Sequence, residues 1–365
     1  MKKKGQVQNL LPLVVSLVAI GITLVVAFLI MAEVRLIEFQ RMLEKQLFPD
    51  NSFYKFSKNA GKPNVSSVEI PQSSGHDAPI LGGVNSGYYT TSNDGNAATA
   101  LTPVIKVNDK LTYSNTILRP EKPYVFETLQ EEELSYNKAS AIADEQADNM
   151  NTGIANYIAT VWAADVANYI IPTTGLNQAG TEQKRSSNVV TGGYTGLVKR
   201  FAYEDLQALN LEIARQNITG GQWRALPTPE LWEDILRIPE VVDYEKTGNE
   251  TMLKKGVIGR WGKVLFLDPR QNDRWNANVL YDTTGGVGAE VPVAYDGALN
   301  VNCQSALLVW NDKYVERNEG AIKFFSRKND PIYMGDIAQW GVRVGGSYRR
   351  TDGKGVICVY EAKTT

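Results

Sequence analysis

One uninterrupted helical pattern in the middle of the chain constrains the fold more than any other feature. From Ser135 onward, small and apolar residues recur every three or four positions over roughly 34 residues. The pattern predicts a single long helix over residues 135–170, ended by Pro172, because proline lacks the backbone N–H that a helix interior uses. Its alanines would let a neighbouring layer approach closely. The pattern is formed by Ala139, Ile142, Ala143, Ala147, Met150, Ile154, Ala155, Ile158, Trp162 and Val166.

Short extended segments and two further helices surround this long helix. The extended segments before it are Val65–Pro71, Pro103–Val107, Thr112–Leu118 and Tyr124–Thr128. After it, helices are predicted at Tyr203–Gln216 and Pro229–Ile238, and strands at Trp223–Leu226, Val257–Asp268, Ala306–Trp310, Ile322–Phe325, Trp340–Tyr348 and Gly355–Tyr360. The pair Asp352-Gly353 is typical of a hairpin turn. No internal repeat is visible, so the predicted fold class is α+β.

The N-terminus carries an apolar run long enough to span a bilayer. After Lys2, Lys3 and Lys4, no charged residue occurs from Gly5 to Ala32, and the run includes Leu10, Leu17, Leu24 and Ile30. A helix of about 20 residues rises about 30 Å, so residues 1–30 are predicted to form a membrane-type helix with possible membrane contact. A second amphipathic pattern begins at Met31. Residues 1–30 could therefore also be an upstream extension, a fusion or a mis-called start.

An arm and a polar loop are predicted between this run and the long helix. Residues 33–48 have the pattern of an amphipathic helix closed by Pro49. From Asn59 to Asn96 the chain is rich in Gly, Ser, Pro and Asn. A structureless stretch of this length is unusual in a compact domain unless it finds its partners on another molecule. The segment from Asn59 to Asn96 is therefore predicted to be an extension that finds its partners on another molecule.

The composition leaves little room for catalysis or for a bound cofactor. The only histidine, His76, lies in the loop-like stretch PQSSGHDAP, so a His-rich zinc site cannot be built. No phosphate-binding, nucleophile-elbow or zinc-protease motif occurs, and we predict no catalytic residue, no metal and no cofactor. Cys303 and Cys358 are predicted to be buried thiols. A net charge of −2 gives no global attraction to nucleic acid.

The order of these parts resembles the HK97-fold major capsid protein of tailed bacteriophages, more narrowly the branch seen in phages of Bacteroidetes. The residues that carry the resemblance are MAEVRLIEFQRMLEKQLFPDNSFYKFSKN, VSSVEIPQSSG, LSYNKASAIADEQADNMNTGIANYIATVWA, the GGYTGLVKRFAYEDLQALNLEIARQNITGGQWRALPTPELWEDIL stretch, MLKKGVIGRWGKVLFLD and AIKFFSRKNDPIYMGDIAQWGVRVGGSYRRTDGKGVICVYEA. The resemblance covers about residues 31–362. Residues 1–30 depart from it, because such capsid proteins lack this helix.

The resemblance implies a division of the chain. Residues 31–65 would form the N-terminal arm, and residues 66–190 the extended loop and the peripheral domain with the long spine helix. Residues 191–320 would form the axial domain, and residues 321–365 the terminal strands that return to the peripheral domain.

The implied function is self-assembly into the icosahedral shell that encloses phage DNA, without enzymatic activity. The implied partners are copies of the same chain in hexamers and pentamers, portal and scaffold or decoration proteins, and non-specifically bound DNA. The implied location is the virion, with assembly in the host cytoplasm. Assembly contacts are expected between acidic Glu131, Glu132 and Glu133 and basic Arg215, Arg260 and Arg274. The alternative is a membrane-anchored pilin-like or surface-displayed structural protein.

Overall fold

The computed structural model describes residues 39–49, 52–73, 89–90, 99–100, 108–127, 138–177, 179–187, 196–238, 257–267, 279–286, 288–332 and 335–364. The predicted membrane-type helix, with Leu10, Leu17, Leu24 and Ile30, lies outside these residues. Within them, no helix is long and apolar enough to cross a membrane.

Four α-helices are described. Helix α1 spans residues 39–46, α2 spans Lys138–Trp162, α3 spans Tyr203–Gln216 and α4 spans Pro229–Ile235. Thr228 begins α4, since its hydroxyl accepts a hydrogen bond from the Leu231 N–H and Pro229 occupies the first helical position. The α3 prediction is confirmed over its whole length, while α4 is shorter than expected.

Nineteen short or long strands accompany the helices in the described part of the chain. They are β1 Lys58–Asn59, β2 Ser67–Ser73, β3 Tyr89–Thr90, β4 Thr99–Ala100, β5 Asn108–Ser114, β6 Thr116–Leu118, β7 Tyr124–Glu127, β8 Ile170–Pro172, β9 Lys184–Ser186, β10 Leu197–Lys199, β11 Trp223–Leu226, β12 Val257–Trp261, β13 Val264–Leu267, β14 Val279–Asp282, β15 Val291–Pro292, β16 Cys303–Asn311, β17 Val315–Asp330, β18 Gly335–Tyr348 and β19 Val356–Tyr360.

The central sheet has eight strands and is covered on both faces. Its order is β12-β13-β11-β16-β14-β15, with β19 paired to β16 and β8 paired to β19. Alternate side chains of β16 enter two cores: Leu308 and Trp310 lie in the core of α2, whereas Leu307 and Val309 lie in the core of α3 and α4. This arrangement explains why all nine residues of β16 are buried.

A second sheet holds the two longest strands. β17 and β18 form an antiparallel pair flanked by β1 on one side and by β6 and β7 on the other. One face of this pair packs against the core that it shares with α2. The side chains on that face are Ile322, Phe324, Trp340, Val342 and Val344. The arm packs there too, since the ring centroids of Phe39 in α1 and Phe324 lie 6.0 Å apart.

The long helix ends earlier than the sequence pattern predicts. Helix α2 stops at Trp162, so the predicted end at residue 170 is wrong. The Ala164 carbonyl accepts a hydrogen bond of 2.6 Å from the Tyr281 hydroxyl, and the Ala164 N–H lies 3.5 Å from the Cys358 sulfur. These side chains replace the hydrogen bonds of a further helical turn. The chain then forms β8, which pairs in parallel with β19.

The extended segments predicted at Val65–Pro71 and Thr112–Leu118 are confirmed in part, because β2 pairs with β5 in an antiparallel register from Ser67–Ser114 to Ser73–Asn108. The hairpin predicted at Asp352-Gly353 needs correction. Asp352-Gly353 forms a turn, with Gly353 at φ 69°, but not a hairpin. The turn carries the chain from β18 in one sheet to β19 in the other.

Candidate assembly surfaces

We call the two large sheets and the helices packed on them the body of the subunit. The arm, at residues 53–57, is fixed to this body by one buried guanidinium. Arg317 in β17 donates hydrogen bonds to the backbone carbonyls of Tyr54 (3.2 Å), Lys55 (3.2 Å) and Ser57 (2.7 Å). Its Nε pairs with Glu319 at 2.8 Å, and Lys55 pairs with the same carboxylate at 2.8 Å. Arg317 is only 8% exposed. A charge buried to this extent needs such hydrogen-bond and ionic partners.

Aromatic side chains complete the attachment of the arm. Phe53 packs edge-on against Trp162 of α2 and Trp310 of β16, with ring centroids 6.1 Å and 5.8 Å apart. The Trp310 Nε1 donates a hydrogen bond to the Phe56 carbonyl at 3.0 Å. The Arg224 guanidinium lies 3.7 Å from the centroid of the Phe56 ring, and burial lowers the pKa of Arg224. Residues 53–57 are therefore part of the folded body.

The β2/β5 hairpin is joined to the body at its base. The Glu316 carboxylate lies 3.3 Å from the Tyr113 hydroxyl and 3.2 Å from the Arg349 Nε. The Gln72 side chain donates a hydrogen bond to the Arg349 carbonyl. Burial, with Glu316 adding to it, raises the pKa of Tyr113. Val68, Ile70 and Tyr113 form a small apolar cluster at this base.

A groove lies between α2 and the edge of the second sheet. Its volume is about 930 Å³. Its apolar walls include Ile117, Met150 and Tyr295, and its rim carries both acidic and basic side chains. Ile117 is 57% exposed.

A second buried ionic cluster ties the chain end to α4. Arg185 in β9 pairs with Asp234 at 2.9 Å and with Glu361, and Arg200 lies 3.5 Å from the other Asp234 oxygen. Asp234 and Glu361 are each 2% exposed or less. The cluster borders a cavity of about 330 Å³. It joins three segments that are distant in sequence.

The structure places only part of the predicted contact set. Arg215 lies on α3, is 66% exposed and pairs with Glu212 at 3.6 Å. Arg260 lies in β12 opposite Leu265. Glu131, Glu132, Glu133 and Arg274 lie outside the described residues, as does His76, so the contact itself stays a prediction. Cys303 and Cys358 are buried free thiols, as predicted.

Sequence reasoning missed the residues that hold the arm and the hairpin. Arg317, Glu316 and Arg349 stand in a strongly polar stretch, and nothing in their spacing distinguishes them from solvated charges. One signal was available: VERNEG places charged residues inside a long strand, where they need partners. Among the described residues, no group of three or more His, Cys, Asp or Glu side chains could hold a metal ion.

Comparison with known proteins identifies the fold. No protein-family model matches the chain, and no curated protein matches it. Among solved structures, it superposes on a chain of the capsid of cyanophage P-SCSP1u with a TM-score of 0.51 at 14% identity, covering 86% of this chain and 89% of that one. The capsid of Ralstonia phage GP4 gives 0.48 at 9% identity (85% and 87% covered), and the mature capsid of bacteriophage PhiM1 gives 0.47 at 14% (86% and 88%).

The cyanophage match shows that this chain has the fold of a phage capsid protein. The predicted fold class, α+β with an HK97-like capsid architecture, is confirmed. The predicted N-terminal hydrophobic helix is outside this conclusion.

Proposed function

We propose that this chain is a major capsid protein that assembles with copies of itself into a phage shell. The observation that carries the proposal is the capsid fold, which extends over 86% of the chain. The implied role is structural rather than catalytic, and the implied location is the virion.

The parts that leave the body support this proposal. A two-stranded hairpin is marginal by itself in water, and among the strands that the structure describes β2 and β5 pair only with each other. The hairpin therefore gains by contact with another molecule. The arm, in contrast, is fixed at residues 53–57 by Arg317 and the aromatic cluster. Such elements fit a shell protein, whose copies bury large complementary surfaces against one another.

The proposed shell function extends to partners and location. We infer that the chain forms hexamers and pentamers and meets portal and scaffold or decoration proteins. We also infer that it contacts packaged DNA non-specifically and assembles in the host cytoplasm. We infer the division into arm, extended loop with peripheral domain, axial domain and terminal strands at residues 31–65, 66–190, 191–320 and 321–365. We also infer that the acidic cluster contacts basic residues of a neighbouring copy, between Glu131, Glu132 and Glu133 on one side and Arg215, Arg260 or Arg274 on the other.

Electron microscopy and sedimentation of the purified chain test the proposal. Rings of five or six subunits, or closed shells, are the expected result, both for the full chain and for a variant that begins at Met31. A chain that remains monomeric across a wide concentration range would contradict it. Flotation of the full chain with lipid vesicles, without rings or shells, would instead support the surface-displayed protein.

A further inference from the structure

Helix α1 is attached to the body through side chains that every copy of the chain presents. Phe39, Leu43 and Leu47 are buried in the core that α1 shares with α2 and the second sheet. The Gln46 side chain donates a hydrogen bond to the Asp144 carboxylate on α2. An identical site on a second copy would therefore offer α1 the same contacts.

The chain leaves α1 through a residue with a strained backbone. Phe48 has φ 57°, in the left-handed region. Helices often end on a residue in this conformation, but it is usually glycine, because a side chain crowds the following carbonyl oxygen. Asn217 ends α3 in the same way, and asparagine tolerates it. A bulky aromatic residue does not, so Phe48 stores strain between α1 and the fixed residues 53–57.

One buried asparagine on α2 imposes this conformation. Asn151 is 1% exposed. Its Oδ1 accepts a hydrogen bond from the Phe48 N–H at 3.3 Å, and its Nδ2 donates one to the Gln46 carbonyl at 3.0 Å. The Lys55 Nζ lies 5.7 Å from the centroid of the Phe48 ring. Away from these contacts Phe48 would become extended, because it precedes Pro49 and a residue before proline favours that conformation.

We propose that α1 is exchanged between copies in the assembled shell, with Phe48 as the hinge and α1 of one copy on α2 of its neighbour. This inference rests on the proposed function. A short hinge under strain favours such exchange, which links subunits through a contact that already exists within each one. Residues 53–57 stay on their own body, and the five residues from Phe48 to Ser52 span at most about 18 Å when extended. Only a directly adjacent copy can therefore receive α1.

Cross-linking between separate chains tests the exchange. Gln46 and Asp144 are in contact across α1 and α2, and the native thiols Cys303 and Cys358 are buried. Chains with Gln46→Cys alone and size-tagged chains with Asp144→Cys alone are mixed, assembled and treated with a short bismaleimide. We expect a product that contains one chain of each size in shells, because the two cysteines then meet on different copies. The same mixture before assembly should give none.

The double variant Gln46→Cys with Asp144→Cys is the matched control. In a free subunit its cross-link should stay within one chain, whereas in shells it should join two or more chains. Shells in which the double variant gives only the one-chain product, and the mixture no two-chain product, would overturn the proposal while leaving the shell function intact. Failure of the unaltered chain to form any ring or shell would contradict the proposed function itself.

Substitution of Phe48 tests the strain without any added cysteine. Phe48→Gly and Phe48→Ala both remove the ring, but only glycine adopts this φ without strain. Relative to the alanine variant, we expect hydrogen exchange of the α1 amides in the free glycine variant to slow about ten-fold, and the concentration needed for assembly to rise by a similar factor. Equal exchange rates would mean that Phe48 stores no strain. Assembly of both variants at equal concentrations would mean that α1 is not exchanged.

Discussion

Buried charged residues fix the extended parts of this chain to its body. Arg317 holds the arm through three backbone carbonyls, and Glu316 holds the hairpin through Tyr113 and Arg349. The two residues are adjacent in β17, so their side chains lie on opposite faces of the strand. One short stretch of strand thus positions both elements that leave the body.

Replacing Arg317 by Met should destabilise the subunit and loosen the arm. The change removes the Arg317 donor from three backbone carbonyls, of which only that of Tyr54 keeps another donor, the Ser57 hydroxyl, so we expect the free energy of unfolding in urea to fall by about 2–4 kcal/mol. Arg215→Met is the control, since Arg215 is exposed and makes only a surface ion pair; its effect should stay within about 0.5 kcal/mol. Equal effects of the two substitutions would mean that Arg317 does not hold the arm.

Asp205 makes the stability of the subunit depend on pH. Burial raises the pKa of Asp205 to about 6, while N–H groups of Ala202 and Thr174 donate to its carboxylate and limit the rise. An unfolded chain has an aspartate pKa of about 3.9. Between these values the folded state binds more protons, so this contribution to stability is present below about pH 4 and is lost as pH rises through about 6.

Asp205→Asn should remove this pH dependence. Relative to the variant, the unaltered chain should lose about 2–3 kcal/mol of unfolding free energy between pH 4 and pH 7. Urea unfolding of both proteins across this range measures the difference. The exposed Asp296→Asn substitution controls for the loss of one charge. Parallel curves for Asp205→Asn and the unaltered chain would show that Asp205 keeps an ordinary pKa.

At the scale of whole elements, helix α2 determines how closely the two sheets approach. Ala155 and Ala159 are fully buried in the core that α2 shares with both sheets. Leucine at both positions adds methylenes to a packed layer, which costs about 1–3 kcal/mol per site. We therefore expect a lower melting temperature for the double variant. Ala141→Leu on the exposed face of α2 is the control. Unchanged melting of the double variant would mean that this face of α2 has space.

Periodic elements could be predicted from the sequence, and their partners could not. The alternation in Trp223–Leu226 and the helical spacing in Tyr203–Gln216 gave β11 and α3 with their observed bounds. The end of α2 was missed because residues 163–169 continue a helical pattern, and only contacts with Tyr281 and Cys358 stop it. The role of Arg317 was missed for the same reason, since its acceptors lie more than 250 residues earlier in the chain.

At the scale of the whole molecule, the β2/β5 hairpin divides into a held base and a long connection. The base is fixed by Glu316, Gln72 and a small apolar cluster, while residues 74–107 join the two strands. Ordering a residue costs roughly 1–2 kcal/mol of backbone entropy. The connection is rich in glycine, including Gly82, Gly83 and Gly87, so only contact with a neighbour would offset this cost.

Limited proteolysis should therefore distinguish free subunits from assembled shells. Thermolysin, which cuts before apolar residues, should cleave the free subunit between Ser73 and Asn96, near Ile80 and Leu81. The same bonds should resist cleavage in shells. Trypsin is the control, because no Lys or Arg lies between Lys62 and Lys106; it should leave this connection intact in both states. Thermolysin cleavage at equal rates in both states would mean that the connection gains no order from a neighbour. The hairpin would then be a free surface loop, and shell contacts would have to come from other parts of the subunit.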